Sequence, residues 1–237
     1  MKYDIRIEYR CSANLRADSE DLCQKITGSI IATDLNTEEE EEEEEEEQNI
    51  GEIELAYIDV ISAQNEGYRL VDLFDADPLP STYCFTLYDL DSYDWSQRVY
   101  QTLGKDIFHY NLLIIHRIKL LPEFRGHRIG LLAIRRSIQQ FAHGCGLACL
   151  KANPYQIELK EQYGIDSSEF EAYGLGKFPT DASKATRQLE AHYQQAGFTK
   201  IHNSDLMAIN LDKELPSMEQ LAATFDGIFE IDETTRS

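Results

Sequence analysis

The amino-acid sequence predicts an α/β fold whose central sheet contains both antiparallel and parallel strands. Three segments within the first 61 residues have the pattern of strands, and the first of them alternates in polarity. Farther along, residues 111–153 are expected to form a strand, a glycine-containing loop, a helix and another strand. A crossover of this length normally joins parallel neighbours, so the sheet is expected to be mixed.

The predicted strands of the first half are Tyr3 to Arg10, Lys25 to Asp34 and Ile50 to Ile61. A run of ten Glu residues, 38–47, falls between the second and the third. Such a block repels itself and has no apolar face to bury, so we expect a solvated loop inserted at 36–49 of a hairpin. The alternative is a docking segment for a basic partner.

The segment 63–107 is expected to be an insertion of mixed structure. Its turn signal is the sequence Asp-Pro-Leu-Pro at 77–80. One helix is predicted from Trp95 to Leu103, with Ser92 or Asp94 as its N-cap and Gly104 at its end.

The second half predicts a more regular series of elements. Its central helix has an apolar face formed by Leu131, Ile134, Ile138 and Phe141. The predicted elements are a strand at 111–121, a loop at 123–130, a helix to about His143, a strand at 147–152, an irregular insertion at 155–181, a helix at 182–196 and a last strand at 200–211. We expect one domain over 1–211 and an acidic tail over 212–237 that includes a weak amphipathic helix.

The composition excludes several classes of protein. The formal net charge is −21, which argues against a nucleic-acid partner or an anionic membrane surface, since both require basic faces. No apolar run is long enough for a membrane span, and the N-terminus is charged where a signal peptide would be apolar. The five cysteines have no CxxC spacing, so neither a disulfide framework nor a metal site is expected. These features favour a cytoplasmic protein.

One segment has the opposite charge. Residues 109–151 contain seven Lys and Arg residues and a single acid, Glu123. A basic segment in an acidic protein is a candidate site for an anionic ligand. The loop that enters the helix at Gly130 adds unpaired backbone N–H groups and the positive end of the helix dipole. The alternative is a basic helix face that offsets acids packed nearby.

This segment resembles motif A of the GNAT superfamily of acyl-CoA N-acyltransferases. The matching sequence is Leu-Leu-Pro-Glu-Phe-Arg-Gly-His-Arg-Ile-Gly at 120–130, and Arg128 stands where the first of two motif glycines is expected. Downstream, Tyr193, Gly197 and Phe198 look like motif B, Tyr-x-x-x-Gly-Phe. The resemblance covers about 110–211 and implies a mixed sheet with helices on both faces.

The resemblance also implies a cofactor, acetyl-CoA as the acyl donor, bound at the strand, loop and helix of motif A. The arginine at 128 either crowds the pyrophosphate or adds a charge to it. The implied cofactor-binding residues are Ile118 and Leu120 along the strand edge, Arg125, Gly126, His127, Arg128, Ile129 and Gly130 around the pyrophosphate, and Asn153 after the next strand.

Two residues are implied in catalysis. Tyr193 lies where many family members place the tyrosine that protonates the departing thiolate, although it could instead be a packed aromatic. His116 is the candidate general base, because histidine titrates near neutral pH. Glu52 and Glu54 on the preceding strand are alternative bases.

The function expected from the resemblance is transfer of an acetyl group to a primary amine. The acidic remainder of the chain favours a cationic acceptor, either a small molecule or a peptide amine. The alternative is a GNAT-fold module that binds acyl-CoA without catalysis. Family members are often dimers, so a homodimer is one expectation.

Overall fold

The computed structural model describes residues 3–12, 21–35, 47–75, 82–163 and 168–222. Within these ranges the strands are β1 (Tyr3–Cys11), β2 (Cys23–Asp34), β3 (Glu47–Ile58), β4 (Asn111–Leu120), β5 (Cys145–Lys151), β6 (Thr199–Lys200) and β7 (Leu206–Asn210). The helices are α1 (Val60–Glu66), α2 (Leu70–Asp75), α3 (Thr82–Leu87), α4 (Gln97–Leu103), α5 (Ile129–Phe141), α6 (Tyr155–Tyr163), α7 (Ser168–Ala172), α8 (Ala182–Gln194) and α9 (Met218–Ala222). Short 3-10 turns lie at Pro122–Phe124 and Leu175–Lys177.

The strands form one sheet in the order β1-β2-β3-β4-β5-β7-β6. Strands β4 and β5 are parallel, and the other neighbours are antiparallel. The crossover through α5 explains the parallel pair, as predicted from its length. The prediction of a mixed sheet in an α/β fold is therefore confirmed.

Helices cover both faces of this sheet. Leu112 and Ile114 of β4 belong to a core with residues of α1, α2, α3 and α4. Leu113 and Ile115 belong to a core on the opposite face with residues of α5 and α8. Successive side chains of a strand point to opposite faces, which is why the two cores alternate along β4.

This alternation is reversed at His116. Glu54 of β3 pairs with Arg117, but the next residue of β3 pairs with Ile115, so His116 is an extra residue in β4 and forms a β-bulge. After the bulge, Ile118 and Leu120 continue the apolar core beneath α5. The intervening Arg117 and Lys119 therefore face the other side of the sheet.

Several predicted boundaries in the first half need correction. The third strand ends at Ile58 rather than Ile61, because Asp59 caps α1 and accepts a hydrogen bond from the N–H of Ser62 at 3.0 Å. The N-cap of α4 is Ser96, so both candidates, Ser92 and Asp94, were wrong. Asp94 instead accepts hydrogen bonds from the N–H of Trp95 and the hydroxyl of Tyr100. Residues 36–46, with most of the Glu run, lie outside the described residues.

Two corrections apply to the second half. The segment 155–181 was predicted to be irregular but contains α6, α7 and a 3-10 turn. The pattern of α6 gave no signal because, from Tyr155 to Glu161, where burial is described, only Leu159 is buried. The predicted last strand is a hairpin of β6 and β7, closed by a hydrogen bond from the N–H of Ile201 to the carbonyl of Leu206 at 2.9 Å. Asn203 in its turn has a φ of 51°.

The segment that follows β7 packs on α5. Arg135 of α5 donates a hydrogen bond to the carbonyl of Pro216 at 3.0 Å. Leu221 of α9 is buried in the core beneath α5 and α8. The predicted amphipathic helix of the tail is thus present as α9, and residues 223–237 lie outside the described ranges.

Two further properties concern the helices and the cysteines of the described residues. None of their helices is long and apolar enough to cross a membrane. All five cysteines lie within the described residues as free thiols, and only Cys11 is exposed.

The close approach of β3 to β4 at Gly51 gives a testable prediction. A Cβ atom at Gly51 would collide with the backbone carbonyl oxygen of Lys119, whereas one at Gly130 would make ordinary contacts of 3.7 to 3.8 Å with Ile118 and Leu120. We expect Gly51→Ala to lower the free energy of unfolding by about 1–3 kcal/mol, because the strands must move apart. Urea unfolding measures this, with Gly130→Ala as the matched control that loses no stability. Equal stability of the two variants would contradict the described register.

Candidate functional site

A cleft opens in the sheet where β4 and β5 diverge. The last pair between them is Ile115 with Leu150, immediately before the bulge at His116. Beyond this point no described strand pairs with that edge of β4. A cavity of about 720 Å³ occupies the divergence and is lined by residues of both strands, of α3 and of α8.

The backbone of β4 faces this cleft at alternate residues. The N–H of Leu121 donates to the carbonyl of Ile50 at 2.8 Å, so its backbone points toward β3. Because backbone groups alternate along a strand, those of Ile118 and Leu120 point toward the cleft. The carbonyl of Leu120 already accepts a hydrogen bond from the side chain of Arg125 at 2.8 Å.

The turn between β4 and α5 presents free backbone N–H groups. Gly126 and Arg128 have φ values of 82° and 58°, and α5 begins at the next residue. Among the described residues, no acceptor binds the N–H groups of Gly126, Arg128, Ile129 or Gly130. Such N–H groups and the dipole of a 13-residue helix form a site suited to a phosphate group.

The side chain of Arg125 stabilises this turn through hydrogen bonds to neighbouring carbonyl oxygens. In addition to the carbonyl of Leu120, it donates to the carbonyl of Tyr173. Its guanidinium also lies 4.9 Å from the ring centre of Phe178. Arg125 therefore joins the loop before α5 to the segment that follows α7.

Arg128 has the left-handed conformation that favours glycine, at the position where the motif has one. Its guanidinium donates to the carbonyl of Leu221 in α9 at 3.3 Å. The side chain thus turns toward the C-terminal segment and leaves the N–H groups of Gly126, Ile129 and Gly130 open.

Two cations on the open side of β4 hold α6 and α7 beside the cleft. Arg117 pairs with Glu158 of α6 at 2.9 Å and lies 4.6 Å from the ring centre of Tyr155. Lys119 is only 11% exposed and pairs with Glu52 and with Glu169 of α7. Burial opposes the charge of Lys119, but the hydrogen bonds that its ammonium group donates to these two carboxylates outweigh the burial and raise its pKa.

Asn153 takes part in the same arrangement. Its side-chain amide donates to Glu158 at 3.1 Å, and Glu158 also binds Arg117. Glu158 thereby connects the two edges of the cleft, since Arg117 belongs to β4 and Asn153 follows β5.

Two tyrosine side chains from different helices line the cavity. Burial raises the pKa of Tyr193 in α8 to about 12, so its hydroxyl is protonated at neutral pH. Tyr83 in α3 is 3% exposed, and burial together with the nearby Cys149 and Asp205 raises its pKa well above the usual value. Neither hydroxyl is hydrogen-bonded to another described residue, which leaves both available to a ligand.

The three candidate bases differ in their surroundings. His116 and Glu54 line the cavity, and neither side chain forms a hydrogen bond or ion pair with another described residue. Glu52 lies outside the lining and is paired with Lys119 at 3.1 Å. The geometry therefore favours His116 and Glu54 over Glu52.

The predicted site residues fall into two adjoining groups. Those that line the cavity are His116, Ile118, Leu120, Arg125, Asn153 and Tyr193. Those that form the turn and the start of α5 without lining the cavity are Gly126, His127, Arg128, Ile129 and Gly130.

Sequence reasoning missed the cavity residues Tyr83, Arg117 and Glu158. The charged pair at 117 and 119 carried a signal, because the continuous apolar run of β4 changes there to an alternating pattern. No sequence signal pointed to Tyr83, since its position at the cavity depends on how α3 packs against the sheet.

Comparison with known proteins adds no assignment. The chain matches no protein-family model, no curated protein and no solved structure. Among the described residues, no three His, Cys, Asp or Glu side chains are grouped to hold a metal ion.

The ion pair of Glu169 predicts an acid-dependent loss of stability. Hydrogen bonds from Lys119 and Tyr155 lower the pKa of Glu169 below its ordinary value of 4.5. A group with a lowered pKa stabilises the fold above its unfolded pKa and loses this effect as pH falls through its folded pKa. We expect the advantage of the wild type over Glu169→Gln, at most about 1 kcal/mol for this partly exposed pair, to vanish at low pH.

Urea unfolding from about pH 7 to about pH 3 measures this advantage. The control is Glu171→Gln on the same helix, because Glu171 is exposed and pairs with no described residue. A pH dependence identical in wild type and Glu169→Gln would show that the pair does not hold α7 in place.

Proposed function

We propose that this protein is an N-acetyltransferase of the GNAT type, which moves an acetyl group from acetyl-CoA to a primary amine. The observation that carries the proposal is the cleft between β4 and β5, with free N–H groups beside it and protonated tyrosines inside it. The motif resemblance at 120–130 and 193–198 independently favours the same family. The arrangement of β4, α5 and β5 is compatible with that fold.

The proposed site for coenzyme A uses backbone groups more than side chains. The pantetheine amides pair with the cleft-facing backbone of Ile118 and the N–H of Leu120. The pyrophosphate binds the N–H groups of Gly126, Arg128, Ile129 and Gly130, and the dipole of α5 adds positive potential there. Arg125 contributes by holding the turn, since its guanidinium is engaged with two carbonyl oxygens.

The proposed chemistry is direct attack of the amine on the thioester. The amine nitrogen forms a bond to the carbonyl carbon, the carbon–sulfur bond breaks, and the thiolate leaves with both electrons of that bond. The base removes the proton of the amine, and Tyr193 donates its hydroxyl proton to the thiolate. A phenol with a pKa of about 12 remains protonated until the thiolate forms.

His116 is the proposed base, with Glu54 as the second candidate. Both face the cavity, and the bulge places His116 where β4 separates from β5. The cavity contains Glu54 and Glu158 as acids, and Glu54 has no described partner. An unpaired carboxylate beside the reacting centre favours an acceptor that arrives as an ammonium ion, either a small molecule or a peptide.

Calorimetry with acetyl-CoA tests the first half of the proposal. We expect binding by the full chain, and no heat of binding at high micromolar ligand would contradict the proposal. Release of free thiol is then measured over polyamines, aminoglycosides and lysine peptides. Binding without release for any amine would instead support a non-catalytic module that binds acyl-CoA.

The role of Tyr193 predicts a specific kinetic loss. We expect Tyr193→Phe to lower kcat by about a hundredfold or more, with acetyl-CoA affinity unchanged, because only the proton donor is removed. The control is Tyr100→Phe, whose hydroxyl binds Asp94 and does not line the cavity. An unchanged kcat in Tyr193→Phe would show that another group protonates the thiolate.

A further inference from the structure

Strand β1 is an open edge of the sheet. It pairs with β2 on one side, and no described strand pairs with its other side. It is nine residues long, which is long for an edge strand. Such an edge offers a row of backbone N–H and C=O groups to another strand.

The two faces of β1 differ in their surroundings. Its odd-numbered residues pack toward α5, as shown by the ring of Tyr9 at 4.7 Å from that of Phe141. Its even-numbered residues are the charged Asp4, Arg6, Glu8 and Arg10. Arg6 pairs within its own chain with Glu8 at 2.9 Å and with Glu47 at 2.7 Å. The side chains of Asp4 and Arg10 form no ion pair with any described residue, so both remain available to a partner.

The sequence of β1 is complementary to itself in the antiparallel direction. If Ile7 lies opposite Ile7 of a second copy, Asp4 lies opposite Arg10 and Arg6 lies opposite Glu8. Ile5 then lies opposite Tyr9 on the apolar face. Opposite residues of antiparallel strands have their side chains on the same face, so every charged pair forms between opposite charges.

Neighbouring registers lack this complementarity. A slip by two residues in one direction places Arg6 opposite Arg6 and Asp4 opposite Glu8. A slip by two in the other direction places Glu8 opposite Glu8 and Arg6 opposite Arg10. Like charges directly opposite each other are destabilising, so the register centred on Ile7 is selected over both.

We propose that β1 binds β1 of a second copy of this chain, antiparallel and about a two-fold axis through Ile7. The two sheets then continue across the axis, and α5 of both copies lies on the same side. One strand pair buries less surface than a standard protein interface. The dimer is therefore reversible and depends on protein concentration.

Charge exchange at the ends of the strand tests the proposal. Sedimentation of the full chain from about 1 μM to about 500 μM measures the dissociation constant. We expect Asp4→Arg to weaken the dimer by about tenfold or more, since it faces Arg10 of the other copy. Addition of Arg10→Asp to that variant restores the wild-type constant to within about threefold.

This rescue distinguishes contact between copies from an effect within one chain. Positions 4 and 10 lie about 20 Å apart along one strand, so they couple only across the interface. A chain that is monomeric at all concentrations overturns the proposal. A double variant whose dimer dissociates as readily as that of Asp4→Arg alone also overturns it.

Crosslinking tests the register without changing charge. In a Cys11→Ser background, Ile7→Cys places two thiols opposite each other, with Cα atoms about 4.5–5.5 Å apart, within disulfide range. We expect a reducible dimer after mild oxidation. The control is Ile5→Cys, whose thiols are about 13 Å apart and do not crosslink. Equal crosslinking of the two variants, or none in Ile7→Cys, overturns the register.

Discussion

The constraint on which the site depends is the extra residue in β4 at His116. It reverses the alternation of side chains, so that Ile118 and Leu120 continue the core beneath α5 while Arg117 and Lys119 face the opposite side. Pairing with β5 stops at the same point. The one residue therefore accounts for the cleft, for the backbone groups that face it and for the charges on its rim.

Those charges in turn determine where the inserted helices lie. A cation as buried as Lys119 is costly unless carboxylates surround it, and Glu52 and Glu169 supply them. Arg117 is satisfied by Glu158 and by the ring of Tyr155. Helices α6 and α7 are thus held by ion pairs and aromatic contacts with β4. Helix α6 and the segment that follows α7 form one wall of the cleft.

The difference between elements packed on an apolar core and elements held by ion pairs also explains which parts of the fold could be predicted from the sequence. The strands of the first half, the crossover through α5 and the turn at 123–130 follow from local patterns of polarity and glycine, and the sequence predicted them. Helices α6 and α7 have no apolar periodicity, so their pattern predicted irregular structure. The cap of α4 was assigned wrongly because the carboxylate of Asp94 binds the hydroxyl of Tyr100. Tyr193 was singled out from motif B, and His116 from its place in the strand before motif A and from the titration range of histidine. Tyr83 reaches the cavity only through tertiary packing.

We propose that the cleft beside the bulge binds the acyl donor through its backbone. Amide hydrogen exchange, resolved by residue, tests it most directly in the presence of saturating acetyl-CoA. We expect slower exchange at the N–H groups of Ile118, Leu120, Gly126, Arg128, Ile129 and Gly130, with exchange in β7 unchanged. Unchanged exchange at these amides under saturating ligand, or protection confined to another part of the chain, would contradict it.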